Sequence, residues 1–457
     1  MSTQKIAFLA ALLLSASAAA VAQDTRTVAE PSIPPACATL EAKINRMGLS
    51  IYPDDENKLD TARIQAALDH CPAGHSVVLK RASERTDAFL SGPLQLRRGV
   101  VLVVDRGAYL YASRNPRDYD TRPGVCGTIT HSGPRGCKAL INGDGVDNSG
   151  VMGDGVVDGR GGETILGQKM TWWNLADLAR KGGGQNNPTL IRLNHCNNFI
   201  LYRITLLNSP NFHVGYENGN GFTVWGVKIW TPERARNTDG IDPGNSTNVT
   251  ITNSFIHTGD DQIAIKAPAG APTTNMTILH NHFYSGHGMS IGSNTDGGAS
   301  AIRVSDLTID QADNGIRIKS NITRGGLVHD VIFEDVCIRN TPNPIMMDTS
   351  YTAHASNAAN LIPIFRDIVL RNVLIEGPGT VTLDGYDPTH RLGIQFDNVV
   401  FTDPSAIKVN AKNSDVRLGP GRFNIKITGP NVTVTGTPGE SPKISCAARF
   451  VDFPTQR

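Results

Sequence analysis

Short runs of β-branched and aromatic residues recur at a nearly constant interval from about residue 198 onward, with Asn, Gly, Asp or Ser between them. Successive runs begin 23, 27, 27, 26 and 29 residues apart. A fixed period of this size, built of strands and turns, is typical of a solenoid, in which each coil buries its inward apolar side chains by stacking on the next. The pattern predicts an all-β chain folded as a right-handed parallel β-helix. The runs are Phe199-Ile200-Leu201, Phe222-Thr223-Val224, Val249-Thr250-Ile251, Met276-Thr277-Ile278, Ile302-Arg303-Val304 and Val331-Ile332-Phe333.

A β-sandwich is the alternative fold for a chain of short strands. It would place hairpin turns of the Asn-Gly type between strands roughly every 8 to 12 residues. The segment Asn218-Gly219-Asn220-Gly221 fits such a turn. The long, regular period does not fit, and it favours the β-helix.

Helical periodicity is almost confined to one segment near the N-terminus. Asp60 is a good N-cap residue, and Ile64, Ala67 and Leu68 fall on one helical face before Cys71. We expect a short capping helix there that closes the end of the apolar stack.

The first residues have the pattern of a secretory signal peptide. Lys5 precedes an apolar run over residues 6–14, and small residues end at Ala20-Val21-Ala22. We therefore expect residues 1–22 to be removed, and residues 23–457 to form a single, secreted catalytic domain, with the tail after about residue 400 the least defined part. No later segment approaches the roughly 20 apolar residues of a membrane span, so we expect a soluble mature chain with no membrane partner.

The charge balance bears on the partners of the protein. The formal net charge is +1 and falls to 0 once Lys5 leaves with the signal peptide. A global positive field, which nucleic-acid binding usually needs, is therefore missing, and we expect no nucleic-acid partner. An anionic substrate must instead be bound by a local basic patch on a protein that we expect to be a monomer.

Seven cysteines in an exported chain predict disulfides, and the odd number leaves at least one thiol unpaired. Cys126 and Cys137 lie close together among glycines and prolines, and Cys37 and Cys71 bracket the first ordered segment. These are the two plausible pairs. No Cys/His spacing indicates zinc. The other cysteines are expected to be small buried apolar residues: Cys196, Cys337 and Cys446.

Four polar motifs follow one another at about one coil per step. Asn237-Thr238-Asp239 is followed after 21 residues by the acids of Gly259-Asp260-Asp261, after 27 more by Gly286-His287-Gly288, and after 30 more by Arg317-Ile318-Lys319. Residues one coil apart stack at about 4.8 Å. The spacing therefore predicts a single outward column in which carboxylates meet three potentially cationic side chains.

This combination of groups suits the hydrolysis of an acidic polysaccharide. One carboxyl must stay protonated to donate to the leaving oxygen while another stays ionised. Crowding Asp239, Asp260 and Asp261 should raise the pKa of one of them. Arg317 and Lys319 can bind a substrate carboxylate.

Each motif alone has a structural interpretation. A lone Gly-Asp-Asp is usually a turn, and Arg-x-Lys is usually a solvated strand face. His287 could be a packed turn residue, and Asn237 could belong to an asparagine ladder. The coincidence of four complementary motifs at one-coil offsets favours a site.

The same four motifs, in this order and spacing, resemble the signature motifs of the polygalacturonase family of glycoside hydrolases, family 28. Segments 208–213, 236–243 and 286–293 and Trp172-Trp173 resemble bacterial endo-polygalacturonases from plant-associated species more specifically. The likeness covers about residues 25–400.

The resemblance implies a right-handed parallel β-helix, an inverting single-displacement mechanism, no metal and no cofactor. It assigns the general acid to Asp260 and the orientation of the attacking water to Asp239 and Asp261. It places His287 beside Asp260, where it helps to hold the protonation state of that acid. The residues that it assigns to the substrate are Asn237, Arg317, Lys319 and, by a looser match, Tyr351.

The activity that the resemblance implies is endo-hydrolysis of α-1,4 linkages in polygalacturonate, the de-esterified backbone of pectin. Alternatives in the same family are an exo-polygalacturonase and a hydrolase of rhamnogalacturonan or xylogalacturonan. Other classes are a calcium-dependent pectate lyase, because the three aspartates could imitate a calcium site, and a carbohydrate-binding adhesin.

Overall fold

The computed structural model describes residues 23–130, 136–352 and 361–454. The signal peptide predicted for residues 1–22 lies outside the described residues. No helix in the described ranges combines the length and the apolar character that crossing a membrane requires.

The chain winds into a right-handed parallel β-helix whose coils alternate between two sheets. The smaller one, called the cleft sheet below, has 11 strands that all pair in parallel. Its strands are Leu94–Gln95, Ile141–Asp144, Ile191–Asn194, Val214–Glu217, Ile241–Gly244, Ile263–Ile265, Met289–Gly292, Asn314–Lys319, Asn343–Asp348, Gly379–Asp384 and Ile407–Lys412.

The larger one, called the long sheet, has 23 strands and forms the rest of the wall. Its pairs are parallel except around Ile44–Met47. Its strands are Ala36–Glu41, Ile44–Met47, Ser50–Ile51, His75–Lys80, Thr86–Ser91, Val100–Val104, Tyr109–Ala112, Gly150–Met152, Val156–Asp158, Phe199–Tyr202, Thr205–Leu207, Asn220–Trp225, Lys228–Trp230, Thr247–Thr252, Phe255–His257, Thr273–Tyr284, Ala299–Asp310, Leu327–Arg339, Ile364–Phe365, Ile368–Glu376, Leu392–Phe401, Ser414–Leu418 and Val432–Gly436.

The predicted period is confirmed residue by residue. The first residues of the six apolar runs are direct register partners on successive coils of the long sheet, and all are buried. One apolar cluster extends through the stack from Ala42 to Ile427. The turn at residues 218–221 joins the cleft sheet to the long sheet as a corner of one coil, so it is not the hairpin of a sandwich. The stack of coils is continuous, while the domain limits 23–457 stay a prediction.

The predicted N-terminal helix is present as Thr61–His70, with Ile64 and Leu68 fully buried. The expectation for Asp60 is wrong in one respect. Asp60 occupies the N-cap position, but its carboxylate binds Arg63 at 2.5 Å and makes no capping hydrogen bond. The ion pair with Arg63 takes the place of the cap.

Smaller elements lie outside the two sheets. A second helix, Trp172–Ala179, begins after Thr171, whose side chain forms a reciprocal capping box with Asn174. It lies beside a small antiparallel pair, Ile129–Thr130 with Gly184–Gln185. The remaining elements are short 3₁₀ turns at Pro53–Asp55, Pro116–Tyr119 and Pro404–Ala406.

Both predicted disulfides, Cys37–Cys71 and Cys126–Cys137, are confirmed. Cys337 and Cys446 are buried, as expected, but they are not free apolar side chains, because they form a third disulfide across 109 residues. The tail after the last coil folds back over the long sheet and brings Cys446 to Cys337, a return path that no periodic pattern encodes. Cys196 is buried and free, as expected.

Candidate active site

The register of the cleft sheet places the predicted acids and the histidine in one column. Ile241, Ile263 and Met289 are partners on consecutive coils. Asp239, Asp261 and His287 each precede one of these residues by two positions. Asp239 is therefore aligned with Asp261. The 21-residue step from Asp239 to Asp260 is one residue shorter than this coil, so Asp260 lies one position before the column.

The prediction that the cations continue this column is wrong. Arg317 is paired with Ser290, and Lys319 with Gly292, so both lie further along their strand than His287. The 30-residue step from His287 to Arg317 exceeds the length of the coil, and this moves the cations into two neighbouring rows. Their long side chains nevertheless reach back to the acids.

Asp261 is the point where the cations meet the carboxylates. The Nη1 of Arg317 lies 3.2 Å from Asp261 Oδ1, and the Nζ of Lys319 lies 2.7 Å from Oδ2. The hydroxyl of Ser290 donates to Oδ1 at 2.6 Å. Since all four side chains are buried, this cluster is a desolvated charge network rather than a surface salt bridge.

Asp260 is held by a different set of partners. Its Oδ1 lies 3.0 Å from His287 Nδ1, and the amide nitrogen of Asn237 lies 3.4 Å from Oδ2. Burial by itself would raise the pKa of Asp260, but the hydrogen bond and charge of His287, aided by Lys319, hold it well below the usual range. Burial lowers the pKa of His287, but Asp260 overcomes this and raises it above the usual value. The two groups thus form an ion pair that shares one proton.

Asp239 shows the opposite behaviour. Burial, followed by repulsion from Asp242 and Asp260, raises its pKa well above the usual value. The predicted rise in the pKa of one carboxyl therefore falls on Asp239 and not on Asp260, to which the resemblance assigns the acid.

Two residues of this site, Asp242 and Lys266, are absent from the sequence-based prediction. The Nζ of Lys266 lies 2.5 Å from Asp242 Oδ2 and 3.3 Å from Asp239 Oδ2, and 4.1 Å from the centre of the Phe212 ring. Burial raises the pKa of Asp242 to about 6, although Lys266 opposes the rise. A weak signal was present, because Asp242 interrupts an apolar strand at an outward position.

Tyr351 and Asn237, which the resemblance also assigns to the substrate, lie at the site as well. Tyr351 places its ring 5.1 Å from the guanidinium carbon of Arg317 and 5.2 Å from the Nζ of Lys319. Asn237 accepts a hydrogen bond at 3.0 Å from the side chain of Gln185, a third residue that the sequence did not indicate. The structure therefore brings every predicted catalytic and substrate-binding side chain to one side of the cleft sheet.

The donor set at the centre does not suit a calcium ion. One donor atom each from Asp260, Asp261 and His287 lies within 4.8 Å of the others. Calcium takes six to eight oxygen ligands, whereas here the histidine nitrogen faces Asp260 and both oxygens of Asp261 are bound by cations. A divalent cation would have to displace Arg317 and Lys319.

Outward side chains of the cleft sheet continue in register on both sides of the carboxylates. Because they stand in line along the stack, they form a groove that can follow an extended polymer. One row contains Arg192, Gly215, Asp242, Ala264, Ser290, Arg317, Met346 and Thr382.

Comparison with known proteins assigns the chain to a family. The model of Glycosyl hydrolases family 28 matches residues 126–418. A polygalacturonase of Ralstonia nicotianae is 41% identical, with 98% of this chain and 96% of the relative covered. An endo-polygalacturonase of Pectobacterium parmentieri is 42% identical, with 88% of this chain and 95% of the relative covered.

A solved structure agrees with these sequences. The polygalacturonase from Erwinia carotovora ssp. carotovora matches with a TM-score of 0.80 and 41% identity, covering 86% of this chain and 100% of that one. The family match spans more than half of the chain, and the relatives are similar over nearly all of it. This chain belongs to family 28 of the glycosyl hydrolases, and it is a glycoside hydrolase.

Proposed function

We propose that the protein is an endo-polygalacturonase that hydrolyses α-1,4 linkages between galacturonic acid residues in de-esterified pectin. The observation that carries this proposal is the buried pair Arg317 and Lys319, which faces the carboxylates and is bound there by Asp261. Two cations against one acid leave the pair with capacity for a second carboxylate. The relatives named polygalacturonase and endo-polygalacturonase support the same substrate.

The cation pair favours an acidic sugar beside the cleaved bond. A buried cation without a counter-charge is costly, so a neutral sugar there would forgo the interaction for which the cations are placed. A galacturonate carboxylate can accept from the guanidinium of Arg317 and from the ammonium of Lys319, and the ring of Tyr351 borders the same place. This argues against hydrolysis of rhamnogalacturonan.

We infer an inverting mechanism with Asp260 as the acid and with Asp239 and Asp261 orienting the water. The low pKa of Asp260 in the free enzyme is compatible with this role. When the substrate carboxylate binds Lys319, it cancels part of the attraction that keeps Asp260 ionised, and the sugar displaces water from the pair. Both effects raise the pKa of Asp260, so the proton shared with His287 moves onto Asp260, next to the leaving oxygen.

The accessible rows on both sides of the carboxylates support cleavage within the polymer. Arg192 is exposed and Glu217 is half-buried on one side, and Asp348 is half-buried and Lys412 exposed on the other. A polymer can therefore extend past the centre in both directions, which is the requirement for endo action.

Incubation of residues 23–457 with polygalacturonate tests the proposal. We expect viscosity to fall well before many reducing ends appear, with inverted configuration at the new anomeric carbon by NMR. Monogalacturonate as the sole early product would instead indicate an exo-enzyme. An unsaturated, chelator-sensitive product would indicate a lyase. Asp260→Asn should abolish turnover and retain binding, whereas an adhesin would show no turnover in either form.

We further propose that the enzyme acts outside the cell as a monomer. Three disulfides are consistent with an oxidising compartment. The predicted signal peptide supplies the export route.

A further inference from the structure

A recess of about 290 Å³ lies in the cleft sheet beside the carboxylates. It is bordered by Asp242 and Lys266 on the side of the catalytic centre and by Arg192 and Glu217 on the far side. It is therefore continuous with the site described above, yet its far wall consists of residues to which no role has been assigned.

The recess exists because a side chain is missing from the outward row. Gly215 is the register partner of Arg192 on one coil and of Asp242 on the next. A Cβ atom at Gly215 would have no atom within 4 Å, so the space above this residue is open. Arg192 and Asp242 are two coils apart, about 10 Å, and the gap between them is wide enough for a sugar.

Arg192 differs from Lys266, Arg317 and Lys319 in having no partner in the part of the chain that the structure describes. Lys266, Arg317 and Lys319 are each ion-paired with aspartates. Arg192 is exposed and makes no ion pair or side-chain hydrogen bond with another described residue. Its planar guanidinium is thus free to bind a carboxylate through two parallel hydrogen bonds.

The carboxylates of the recess are suited to bind the hydroxyl groups of a uronic acid. Glu217 and Asp242 provide carboxylate oxygens, which accept hydrogen bonds from sugar hydroxyls. Asp242 Oδ1 is buried without a hydrogen-bond partner among the described residues. Cations and acids alternate around an open floor, which suits a ligand that carries one carboxylate and several hydroxyls.

We propose that this recess is a distal subsite that binds a second galacturonate residue of the polymer, with its carboxylate on Arg192 and its hydroxyls on Glu217 and Asp242. The proposal rests on the proposed function, because it takes polygalacturonate as the substrate. It adds that the enzyme recognises charge at a position remote from the cleaved bond, so long chains gain binding energy that short chains cannot reach.

Two variants test the subsite by independent routes. Arg192→Gln removes the cation, and Gly215→Leu fills the recess without changing any charge. For both we expect kcat/KM to fall at least about tenfold on polygalacturonate and long oligogalacturonates, because the charge-assisted hydrogen bonds to the distal carboxylate are lost in either variant. On the shortest oligomer that is still cleaved, kcat/KM should stay as in the wild type. Arg106→Gln is the matched control, because Arg106 is an exposed arginine paired with Asp154 in a turn of the long sheet.

The outcomes separate the subsite from the function. If the wild type cleaves polygalacturonate and both variants match it at every chain length, the subsite is refuted while the function stands. An equal loss at all chain lengths also refutes the subsite, because it places the effect at the centre or in folding. If the wild type does not cleave polygalacturonate, the proposed function itself fails. Thermal melting of both variants identifies a folding defect.

Discussion

At the residue scale, the neighbouring side chains determine in which direction the pKa of each carboxyl group is shifted. Asp239 is buried and Asp260 is half-buried, yet their pKa values move in opposite directions. Asp239 faces further acids, whereas Asp260 faces His287. The sequence could place these residues in one cluster, but it could not assign the proton. That assignment depends on contacts of about 3 Å that a coil spacing does not determine.

His287→Gln should narrow the pH range of activity from the basic side. In the wild type the proton shared by Asp260 and His287 is lost at the raised pKa of His287. Without the imidazole the proton resides on Asp260 alone, which releases it at lower pH. We expect the basic limb of the kcat/KM profile to move to lower pH and kcat to fall about 100-fold or more.

The control for this experiment is a second histidine–aspartate pair. His280 lies 2.6 Å from Asp306 on the long sheet, outside the cleft. The substitution His280→Asn is suitable because asparagine tolerates the positive φ of 56° at this position. Its pH profile should match the wild type. An unshifted basic limb in His287→Gln would show that the shared proton is not the catalytic one.

Lys266→Met should destabilise the protein in a pH-dependent manner. It leaves Asp239 and Asp242 buried without their counter-charge, which costs about 3 kcal/mol of unfolding free energy at neutral pH. Burial already raises the pKa of Asp242 to about 6, and loss of the ammonium raises it further. A raised carboxyl pKa lowers stability as pH rises, so the deficit should shrink as pH falls through the raised pKa of Asp242 to below about 6.

Thermal melting at pH 5 and pH 7.5 measures this effect. The double variant Asp242→Asn with Lys266→Met should recover part of the lost stability, because one buried charge is removed. Lys228→Met, at a half-buried lysine of the long sheet, is the matched control. A deficit of equal size at both pH values would contradict the electrostatic explanation.

At the element scale, the two sheets differ in how well their sequences predict them. The apolar runs of the long sheet recur in register, so Phe199 and its successors could be aligned before the structure was known. The cleft strands are shorter, and turns of unequal length separate them, which is why Arg317 fell outside the expected column. Helix Trp172–Ala179 spans only 8 residues and gives too few periods to recognise.

The tail is the other element that no repeat predicts. Arg449 binds Asp306 at 2.5 Å, and the hydroxyl of Tyr284 donates to the carbonyl of Val451 at 2.9 Å. With the Cys337–Cys446 disulfide, these contacts fix the tail across the outside of the long sheet. The tail lies on the sheet that does not carry the catalytic side chains.

Removal of this disulfide should loosen the tail and spare catalysis. For Cys337→Ser with Cys446→Ser we expect a loss of stability of up to about 4–5 kcal/mol, the closure entropy of a loop of this length. Limited proteolysis should cut the tail first, while kcat on polygalacturonate stays unchanged. Cys196→Ala alters a buried thiol outside any disulfide and should not expose the tail. Loss of kcat in the double serine variant would show that the tail supports the cleft.

At the scale of the whole molecule, the two terminal segments lie on the wall that carries no catalytic side chain. The N-terminal segment crosses the long sheet, where Glu30 accepts from Tyr202 and the backbone N–H of Asp24 donates to Thr277. The tail crosses the same sheet further along the stack. The stacking of coils was predictable from the apolar period, but these non-periodic paths were not, because they depend on single tertiary contacts. Both paths therefore lie away from the cleft sheet, on which the substrate is proposed to bind.

The stacking that aligns the catalytic side chains also fixes the spacing between neighbouring binding positions along the groove. Neighbouring positions along it are separated by one backbone hydrogen-bond step of about 4.8 Å, and no side-chain substitution alters that step. Turns between the sheets can lengthen or shorten without disturbing it. Specificity in this scaffold therefore changes when the side chain at a given coil position is exchanged. The distance between neighbouring coils stays the same.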